Sequence, residues 1–289
     1  MTVPVRAPGR REGEPPAVRV GSTVRGALSG AIARLATAGC ESPRLDAELL
    51  LADALDVARE RLYLEPAREL GAAAAARFAR YVGRRERREP VAYILGRRAF
   101  RRLELAVDRR VLIPRPETEL LVEVALRELA PGAHVHDVGT GSGAVALALA
   151  DERPDLRVTA SDASEAAVAV ARDNSARLGL EVELLPGPGL PADAGRPDLM
   201  VANLPYVRAE EWRSLAREIT RYEPRDALVG GGRDGLDTVR GLVAALQPGT
   251  RLALEHAPAH AGAVRGLLDS PRRFPGLGGG EDVTLGRVP

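Results

Sequence analysis

The feature that most constrains the fold is a repeated order of short apolar strand, turn and helix in the second half of the chain. After Pro131 the sequence predicts strands and helices in alternation, at residues 135–138, 144–150, 158–161, 166–178, 199–202, 238–246 and 251–255. Such alternation is typical of a parallel sheet with helices on both faces. We therefore predict an α/β domain, and a chain of 289 residues has room for a second, smaller one.

The first half of the chain has a different pattern. Residues 1–20 are rich in Pro, Gly and charge, so we expect a flexible tail. Residues 21–88 predict a small all-helical domain, with helix starts at Ser22 and at Ser42-Pro43. The alanine run 72–76 opens a third predicted helix, which ends near Gly83 before a cluster of solvated charges, Arg84 to Arg88. In residues 89–118 apolar and polar residues alternate, which predicts a hairpin linker, and residues 119–289 form the α/β domain.

Composition excludes several classes of protein. Hydrophobic residues make up 45% of the chain, as in an ordinary globular protein, and no apolar run reaches the roughly 18 residues that span a bilayer. The amino terminus lacks the apolar core of a secretory signal, and the single cysteine, Cys40, suits a reducing compartment. We therefore expect a cytoplasmic protein without a membrane segment. The net charge of +1, with interleaved signs, argues against direct nucleic-acid binding.

A glycine loop lies where the first strand of the α/β domain gives way to a helix. It reads Asp137-Val-Gly-Thr-Gly-Ser-Gly143. Glycines allow a tight turn and a close approach of the backbone to a ligand, and the helix amino terminus adds unpaired N–H groups. Asp162 follows at the end of the next strand, where a carboxylate can accept both hydroxyls of an adenosine ribose. The predicted cofactor contacts are Gly139, Thr140, Gly141, Ser142, Gly143 and Asp162.

The glycine loop alone leaves the identity of the cofactor open. Gly139-x-Gly141-x-x-Ala144 also fits a dinucleotide fingerprint. Asp137, two residues before the first glycine, suits the cationic amino group of S-adenosyl-L-methionine (SAM) better than a pyrophosphate. Together with the next motif, this favours SAM.

That motif, Asn203-Leu204-Pro205-Tyr206, directly follows the strand at 199–202 and so faces the same crevice as the glycine loop. The carboxamide oxygen of Asn203 and the backbone carbonyl of Leu204 can each accept one N–H of a substrate NH₂ group. Pro205 stiffens the turn, and Tyr206 offers a flat face to a planar group. The pattern predicts in-line methyl transfer to an amide or amino nitrogen. Asn203, Pro205 and Tyr206 are the predicted catalytic residues; with Leu204 they also form the predicted substrate site, and Asn203 contacts the cofactor as well.

Further short motifs complete a recognisable order. They are Leu112-Ile-Pro-Arg-Pro-Glu-Thr-Glu119, Tyr222-Glu-Pro-Arg225, Asp234-Gly-Leu236, Leu254-Glu-His256 and Val283-Thr-Leu-Gly-Arg287. From about residue 40 to the end, this order resembles the protein-(glutamine-N5) methyltransferases that modify peptide-chain release factors. The resemblance implies a Rossmann-like SAM-dependent methyltransferase domain with a mostly parallel seven-stranded sheet. It also implies that the helical domain before it helps to grip a protein substrate.

The resemblance further implies the reaction. The substrate would be the side-chain amide of the glutamine in the Gly-Gly-Gln loop of class 1 release factors, and we expect the enzyme to act as a monomer. By position, residues 139–143 and Asp162 would hold SAM, Asn203 would contact cofactor and glutamine, and the loop to Tyr206 would cradle the glutamine. Two positions depart from the family. Leu204 stands where the family usually has Pro, and residues 187–190 contain no aromatic where a Trp often lies beside the adenine. We therefore expect weaker SAM affinity.

Two alternatives remain open. An amino-methyltransferase acting on adenine or cytosine of rRNA or DNA needs the same Asn-x-Pro-Tyr chemistry, and a catalytically silent relative could act as a binding module. We expect no metal site, because Pro258 interrupts any helix that would align His256 with His260. Trp212 and Glu210 lie just beyond the Asn-Leu-Pro-Tyr loop and are candidates for a substrate lid.

Overall fold

The computed structural model describes residues 21–191 and 195–289. It divides the chain into two compact units, Met1–Leu95 and Gly96–Pro289. The predicted tail at 1–20 lies outside the described residues. The predicted hairpin linker, residues 89–118, is split between the units, and the domain limits given above stay predictions.

The first unit is helical. Its helices are α1 (Val24–Thr37), α2 (Pro43–Leu55), α3 (Arg61–Leu64), α4 (Ala72–Glu86) and α5 (Val91–Leu95). Their fully buried side chains form one core, which includes Leu35, Leu50, Leu51, Phe78 and Val82. The cap of α1 is Thr23 and not Ser22 as predicted, because the Thr23 hydroxyl accepts the N–H of Gly26 at 3.2 Å.

The prediction of a solvated cluster from Arg84 to Arg88 is wrong for Arg85, which is buried, whereas Arg87 is exposed. Arg85 is only 6% exposed and forms an ion pair of 2.7 Å with Asp46 of α2. Arg84 donates to both carboxylate oxygens of Glu89 and to the backbone carbonyl of Ile94. A buried guanidinium needs paired acceptors; α2 supplies one to Arg85, whereas the acceptors of Arg84 lie after α4. The arginines therefore tie the helices of this unit together.

The second unit alternates strands and helices after an initial hairpin. Its strands are β1 (Arg97–Phe100), β2 (Leu103–Ala106), β3 (His134–Val138), β4 (Arg157–Asp162), β5 (Glu183–Pro186), β6 (Leu199–Ala202), β7 (Arg251–His256), β8 (Asp269–Phe274) and β9 (Asp282–Arg287). Its helices are α6 (Glu119–Glu128), α7 (Ala144–Glu152), α8 (Glu165–Leu178), α9 (Arg217–Tyr222), α10 (Asp237–Ala245) and α11 (Ala261–Arg265). Short 3-10 helices occupy Pro116–Thr118, Glu211–Ser214, Arg225–Ala227, Pro258–His260 and Leu277–Gly279.

Seven strands form one sheet in the order β5-β4-β3-β6-β7-β9-β8. All neighbouring pairs are parallel except those that include β9, which is antiparallel to β7 and to β8. The predicted Rossmann-like, mostly parallel seven-stranded sheet is therefore confirmed. In the part of the chain that the structure describes, no helix combines the length and hydropathy of a membrane span.

Asn174 of α8 connects the hairpin β1–β2 to the rest of the second unit. The fully buried Asn174 accepts the N–H of Ala106 at 2.7 Å and donates to the carbonyl of Ala106 at 3.0 Å. It also donates to the carbonyl of Ser142 in the glycine loop at 2.9 Å. One amide thus joins the hairpin, α8 and the glycine loop.

The strand order reverses at β3, which has β4 on one side and β6 on the other. In an open parallel sheet this reversal opens a crevice at the carboxyl ends of the strands. The residues that follow those ends are the glycine loop after β3, Asp162 on β4 and Asn203 after β6. The fold therefore brings the motifs predicted to act together to one edge of the sheet.

Candidate active site

The glycine turn after β3 needs glycine at its key positions. Gly139, Gly141 and Gly143 have φ angles of 74°, 58° and 84°, in the left-handed region that disfavours side chains. A Cβ on Gly139 would also lie 3.1 Å from Cδ2 of Leu204, the second residue of the Asn-Leu-Pro-Tyr loop. The turn and the Asn-Leu-Pro-Tyr loop are therefore packed directly against each other.

Asp162 is held in place by backbone N–H groups. Its Oδ2 accepts the N–H of Gly141 at 2.9 Å, and its Oδ1 accepts the N–H of Ser164 at 2.8 Å. Each carboxylate oxygen accepts one of these hydrogen bonds and has a further lone pair that can accept another. Asp162 can therefore bind vicinal hydroxyls without reorganising.

A cavity of about 490 Å³, which we call the donor cavity, opens between these elements. This volume suits a nucleoside-sized ligand. Its walls are Arg110, Val111, Leu112, Val138, Gly139, Gly141, Asp162, Ala163, Ser164, Ala167, Pro188, Asn203, Leu204, Pro205, Pro224, Asp226, Ala227 and Thr238. The lining is mostly apolar, with the Asp162 carboxylate and the Asn203 amide among its polar groups.

Several predicted cofactor residues shape the turn instead of lining the donor cavity. Thr140, Ser142 and Gly143 are absent from its walls. The Thr140 hydroxyl donates to Asp137 at 2.7 Å, and the Ser142 carbonyl accepts from Asn174. Their direct contact with a cofactor stays a prediction.

Asp137 is also outside the walls, and it is only 2% exposed. Burial raises the pKa of its carboxyl to about 7, although the hydrogen bond from Thr140 lowers it. Through its hydrogen bond with Thr140, Asp137 stabilises the glycine turn, and its contact with the amino group of a cofactor stays a prediction.

A second, adjoining pocket of about 320 Å³, the acceptor pocket, lies on the other side of Asn203. It is lined by Leu112, Arg115, Glu117, Asn203, Leu204, Pro205, Tyr206, Val207, Leu215, Ile219, Ala227, Leu228, Glu255 and Glu281. Asn203, Leu204 and Pro205 belong to both linings. Leu112 and Ala227 belong to both linings as well, so these five residues form the wall that the two spaces share.

The amide of Asn203 is held by two residues that the sequence analysis did not assign. Its Nδ2 donates to Oε1 of Glu255 at 2.8 Å and to Oγ1 of Thr118 at 3.0 Å. The Thr118 hydroxyl in turn donates to the same Oε1 at 3.0 Å. Thr118 lies in the motif Ile-Pro-Arg-Pro-Glu-Thr-Glu and Glu255 in the motif Leu-Glu-His. Membership of these motifs is the signal in the sequence that could have identified them.

Glu255 is 2% exposed, and its Oε2 is buried without a hydrogen-bond partner among the described residues. Burial raises the pKa of this carboxyl to about 8. The hydrogen bond from Thr118 lowers the pKa, whereas the charges of Glu281 and Glu117 raise it further. A carboxyl in this setting holds its proton at neutral pH.

Tyr206 closes the acceptor pocket. Its hydroxyl donates to Oε1 of Glu281 at 3.3 Å, and its ring meets that of His260 edge-on, with centroids 5.9 Å apart. Burial raises the pKa of the phenol well above its usual value. The hydroxyl therefore stays neutral. Trp212, a predicted lid residue, is not in this lining; its ring lies under the guanidinium of Arg225.

The other histidines have structural partners. His136 lies between Thr159 and Ser161, at 2.7 Å and 2.9 Å. His256 contacts the carbonyl of Ala257 and the hydroxyl of Thr284. Within residues 21–191 and 195–289, no group of three or more His, Cys, Asp or Glu could hold a metal ion.

Comparison with known proteins agrees with this geometry. Two family models match, the PrmC N-terminal domain over residues 26–96 and the methyltransferase small domain over residues 116–233. The release factor glutamine methyltransferase of Cereibacter sphaeroides is 42% identical over 274 residues, which cover 91% of this chain and 98% of that protein. The enzyme of the same description from Moorella thermoacetica is 43% identical over 254 residues, covering 85% of this chain and 89% of its own. This chain therefore belongs to the family of release factor glutamine methyltransferases.

Proposed function

We propose that this chain transfers the methyl group of SAM to N5 of the glutamine in the Gly-Gly-Gln loop of class 1 release factors, the proteins of translation termination. The observation that carries the proposal is the position of Asn203, which lines both the donor cavity and the acceptor pocket. A residue in that wall can contact the methyl donor and the methyl acceptor at once.

The donor cavity fits SAM. Asp162, anchored by two N–H groups, presents its remaining lone pairs to the ribose hydroxyls, and the turn at Gly139 and Gly141 allows close backbone approach. Val111 and Pro188 offer an apolar wall to the adenine. When bound, SAM supplies an electrophilic methyl group on a sulfonium. The chain contributes position and exclusion of water.

The acceptor pocket fits a primary amide. Because Nδ2 of Asn203 is committed to Glu255 and Thr118, its Oδ1 is the end of the amide that can accept an N–H from the substrate. The backbone carbonyl of Leu204 accepts the second N–H in our proposal. Two acceptors hold the NH₂ group with its lone pair aimed at the donor cavity. The ring of Tyr206 packs on the amide plane, and Pro205 keeps the loop stiff.

The charge of the acceptor pocket favours a protein over a nucleic-acid substrate. Glu117, Glu255 and Glu281 line it, and of the residues that the structure describes, Arg115 alone adds a positive charge to this lining. That guanidinium is already paired with Glu223 at 2.6 Å. A phosphate would meet carboxyl groups here, so we propose that the enzyme binds no nucleic acid directly. We also propose that it is a cytoplasmic monomer and that residues 21–88 help to grip the release factor.

The test is methylation with labelled SAM of three acceptors: a release factor with Gly-Gly-Gln, the same factor with that glutamine changed to alanine, and total RNA. We expect label on the intact factor alone, with one added methyl group located on the glutamine by mass spectrometry. The variant Asn203→Ala should strongly reduce labelling, to a small residual rate, while still binding SAM. Label on RNA would support a nucleic-acid methyltransferase instead, and label on the alanine factor would refute the assigned atom.

A further inference from the structure

The chemistry proposed for Asn203 needs one of the two orientations of its amide. Rotating a carboxamide by half a turn exchanges Oδ1 and Nδ2 with almost no change in shape. With Nδ2 toward the acceptor pocket, Asn203 would present N–H groups to a substrate NH₂. Both groups would then be hydrogen-bond donors, and no hydrogen bond would form between them. Something in the protein must therefore select the orientation in which Oδ1 faces the substrate.

Glu255 and Thr118 provide that selection. Oε1 of Glu255 accepts from Nδ2 of Asn203 at 2.8 Å and from the Thr118 hydroxyl at 3.0 Å. The Thr118 hydroxyl has thus donated its proton, and its oxygen is left to accept from Nδ2 at 3.0 Å. Both groups offered to Asn203 are acceptors. An oxygen of Asn203 in the place of Nδ2 would face Oε1 of Glu255 without a hydrogen bond, so the orientation with Nδ2 toward Glu255 is favoured.

We propose that Glu255 is a positioning residue for catalysis, which acts through Asn203 by holding its amide with Oδ1 turned toward the acceptor. This inference rests on the proposed function and deepens it. Glu255 is held by the sheet: it lies on β7, beside β6, whose end carries Asn203. Thr118 ends the 3-10 helix before α6. The hydrogen bonds among Asn203, Glu255 and Thr118, which we call the lock, therefore form only when β6, β7 and this helix are all in place.

The hydrogen bonds to Asn203 and Thr118 use one oxygen of the Glu255 carboxyl. Both hydrogen bonds go to Oε1, while Oε2 is buried and makes none among the described residues. Holding the amide of Asn203 therefore needs only the one acceptor oxygen, Oε1. The charged and titratable groups around the same pocket are Glu117, Glu281, Arg115 and Tyr206, with His256 next along β7, and the two glutamates oppose a further negative charge. A glutamine has the same shape and keeps the same acceptor oxygen.

The lock predicts different outcomes for two substitutions of similar size. Glu255→Gln retains an oxygen for Asn203 and Thr118, so kcat should stay within about threefold of the wild type. Glu255→Leu removes the acceptor, so kcat should fall by about 100-fold, the scale on which misplaced groups slow a reaction. The dissociation constant for SAM, measured by calorimetry, should stay unchanged in both, because Glu255 does not line the donor cavity.

A double-mutant cycle separates positioning from general damage. In an Asn203→Ala background, Glu255→Leu should reduce the residual rate no further, because there is no amide left to orient. Thr284→Val is the matched control: it removes a buried hydrogen bond of 2.8 Å to His256, the neighbour of Glu255, without touching Asn203. It should lower stability and leave kcat unchanged.

Three results would overturn the inference: a kcat of Glu255→Leu equal to that of the wild type, equal losses in Glu255→Gln and Glu255→Leu, or additive losses in the cycle. In each case kcat is measured with whichever substrate the wild type methylates. A wild-type enzyme that labels RNA and not the release factor would refute the proposed substrate, and the same variants would still test the lock. The two failures are therefore distinguishable.

Discussion

The guanidinium of Arg115 donates a hydrogen bond of 2.6 Å to the buried carboxylate of Glu223, 108 residues further along the chain. The same carboxylate accepts the backbone N–H of Ile113 at 3.1 Å. These bonds join the segment before α6 to the segment after α9. Residues of both segments line the donor cavity, among them Leu112 and Pro224. Two motifs that are distant in sequence thus form one clamp beside the cofactor site.

Breaking this clamp should cost stability and SAM affinity. Glu223→Gln removes the charge that faces Arg115, and we expect it to lower the free energy of unfolding by about 2 kcal/mol. SAM should bind more weakly, because the two wall segments are no longer tied. Urea unfolding and calorimetry measure the two effects. The control is Glu183→Gln, from an exposed pair with Arg157 at 3.4 Å, which should change stability by less than about 0.5 kcal/mol. Equal effects of the two substitutions would refute the clamp.

Asn174 should be among the most sensitive buried polar residues. It makes three hydrogen bonds to the backbone of Ala106 and Ser142. Asn174→Asp keeps the shape but loses both donors and turns an oxygen toward two carbonyls, so we expect a loss of about 2–4 kcal/mol in unfolding free energy. SAM binding should weaken too, because Ser142 belongs to the glycine turn. A variant with wild-type stability would show that the hairpin does not depend on this amide.

The sequence could predict those parts of the site that depend on local pattern. The glycine loop, Asp162 and Asn203 each follow the end of a predicted strand, and parallel strands bring such ends together. It could not assign Thr118 and Glu255, because their hydrogen bond joins residues 137 positions apart and no local period encodes it. Their appearance in short motifs showed where to look, without showing what they contact.

Other differences have similar causes. The burial of Arg85 depends on Asp46, 39 positions away, so the sequence around it gives only a run of charge. Strand β8 is an edge strand with no buried residue, and so it lacks the alternation by which strands are predicted. Strand β5 has four residues, which is too short to show a clear period.

Asp137 should make stability depend on pH in an unusual direction. Its pKa rises from 3.8 to about 7 in the folded protein. Between these values the folded carboxyl keeps its proton while the unfolded one loses it, so its contribution to stability falls as the pH rises through this window. Asp137→Asn does not titrate. The difference in unfolding free energy, wild type minus variant, should therefore decrease between about pH 4 and about pH 7 and be flat above it. His136, whose pKa burial lowers to about 4, is present in both proteins, and its contribution cancels. A difference that stays flat over this range would show that Asp137 is ionised in the folded state as well as in the unfolded one.

Pro188 should limit the affinity for SAM. It lines the donor cavity together with Ala163 and Val111, in the region where related enzymes often place a Trp beside the adenine. A proline offers the adenine an aliphatic edge, whereas an indole offers a stacking face worth about 0.5–1.5 kcal/mol. Pro188→Trp should therefore bind SAM about three- to tenfold more tightly by calorimetry. Pro191→Trp makes the same replacement at a position outside the cavity wall and should leave the dissociation constant unchanged. If Pro188→Trp binds SAM no better than the wild type, the adenine does not pack against this residue. The absence of an aromatic side chain in residues 187–190 would then not weaken SAM binding.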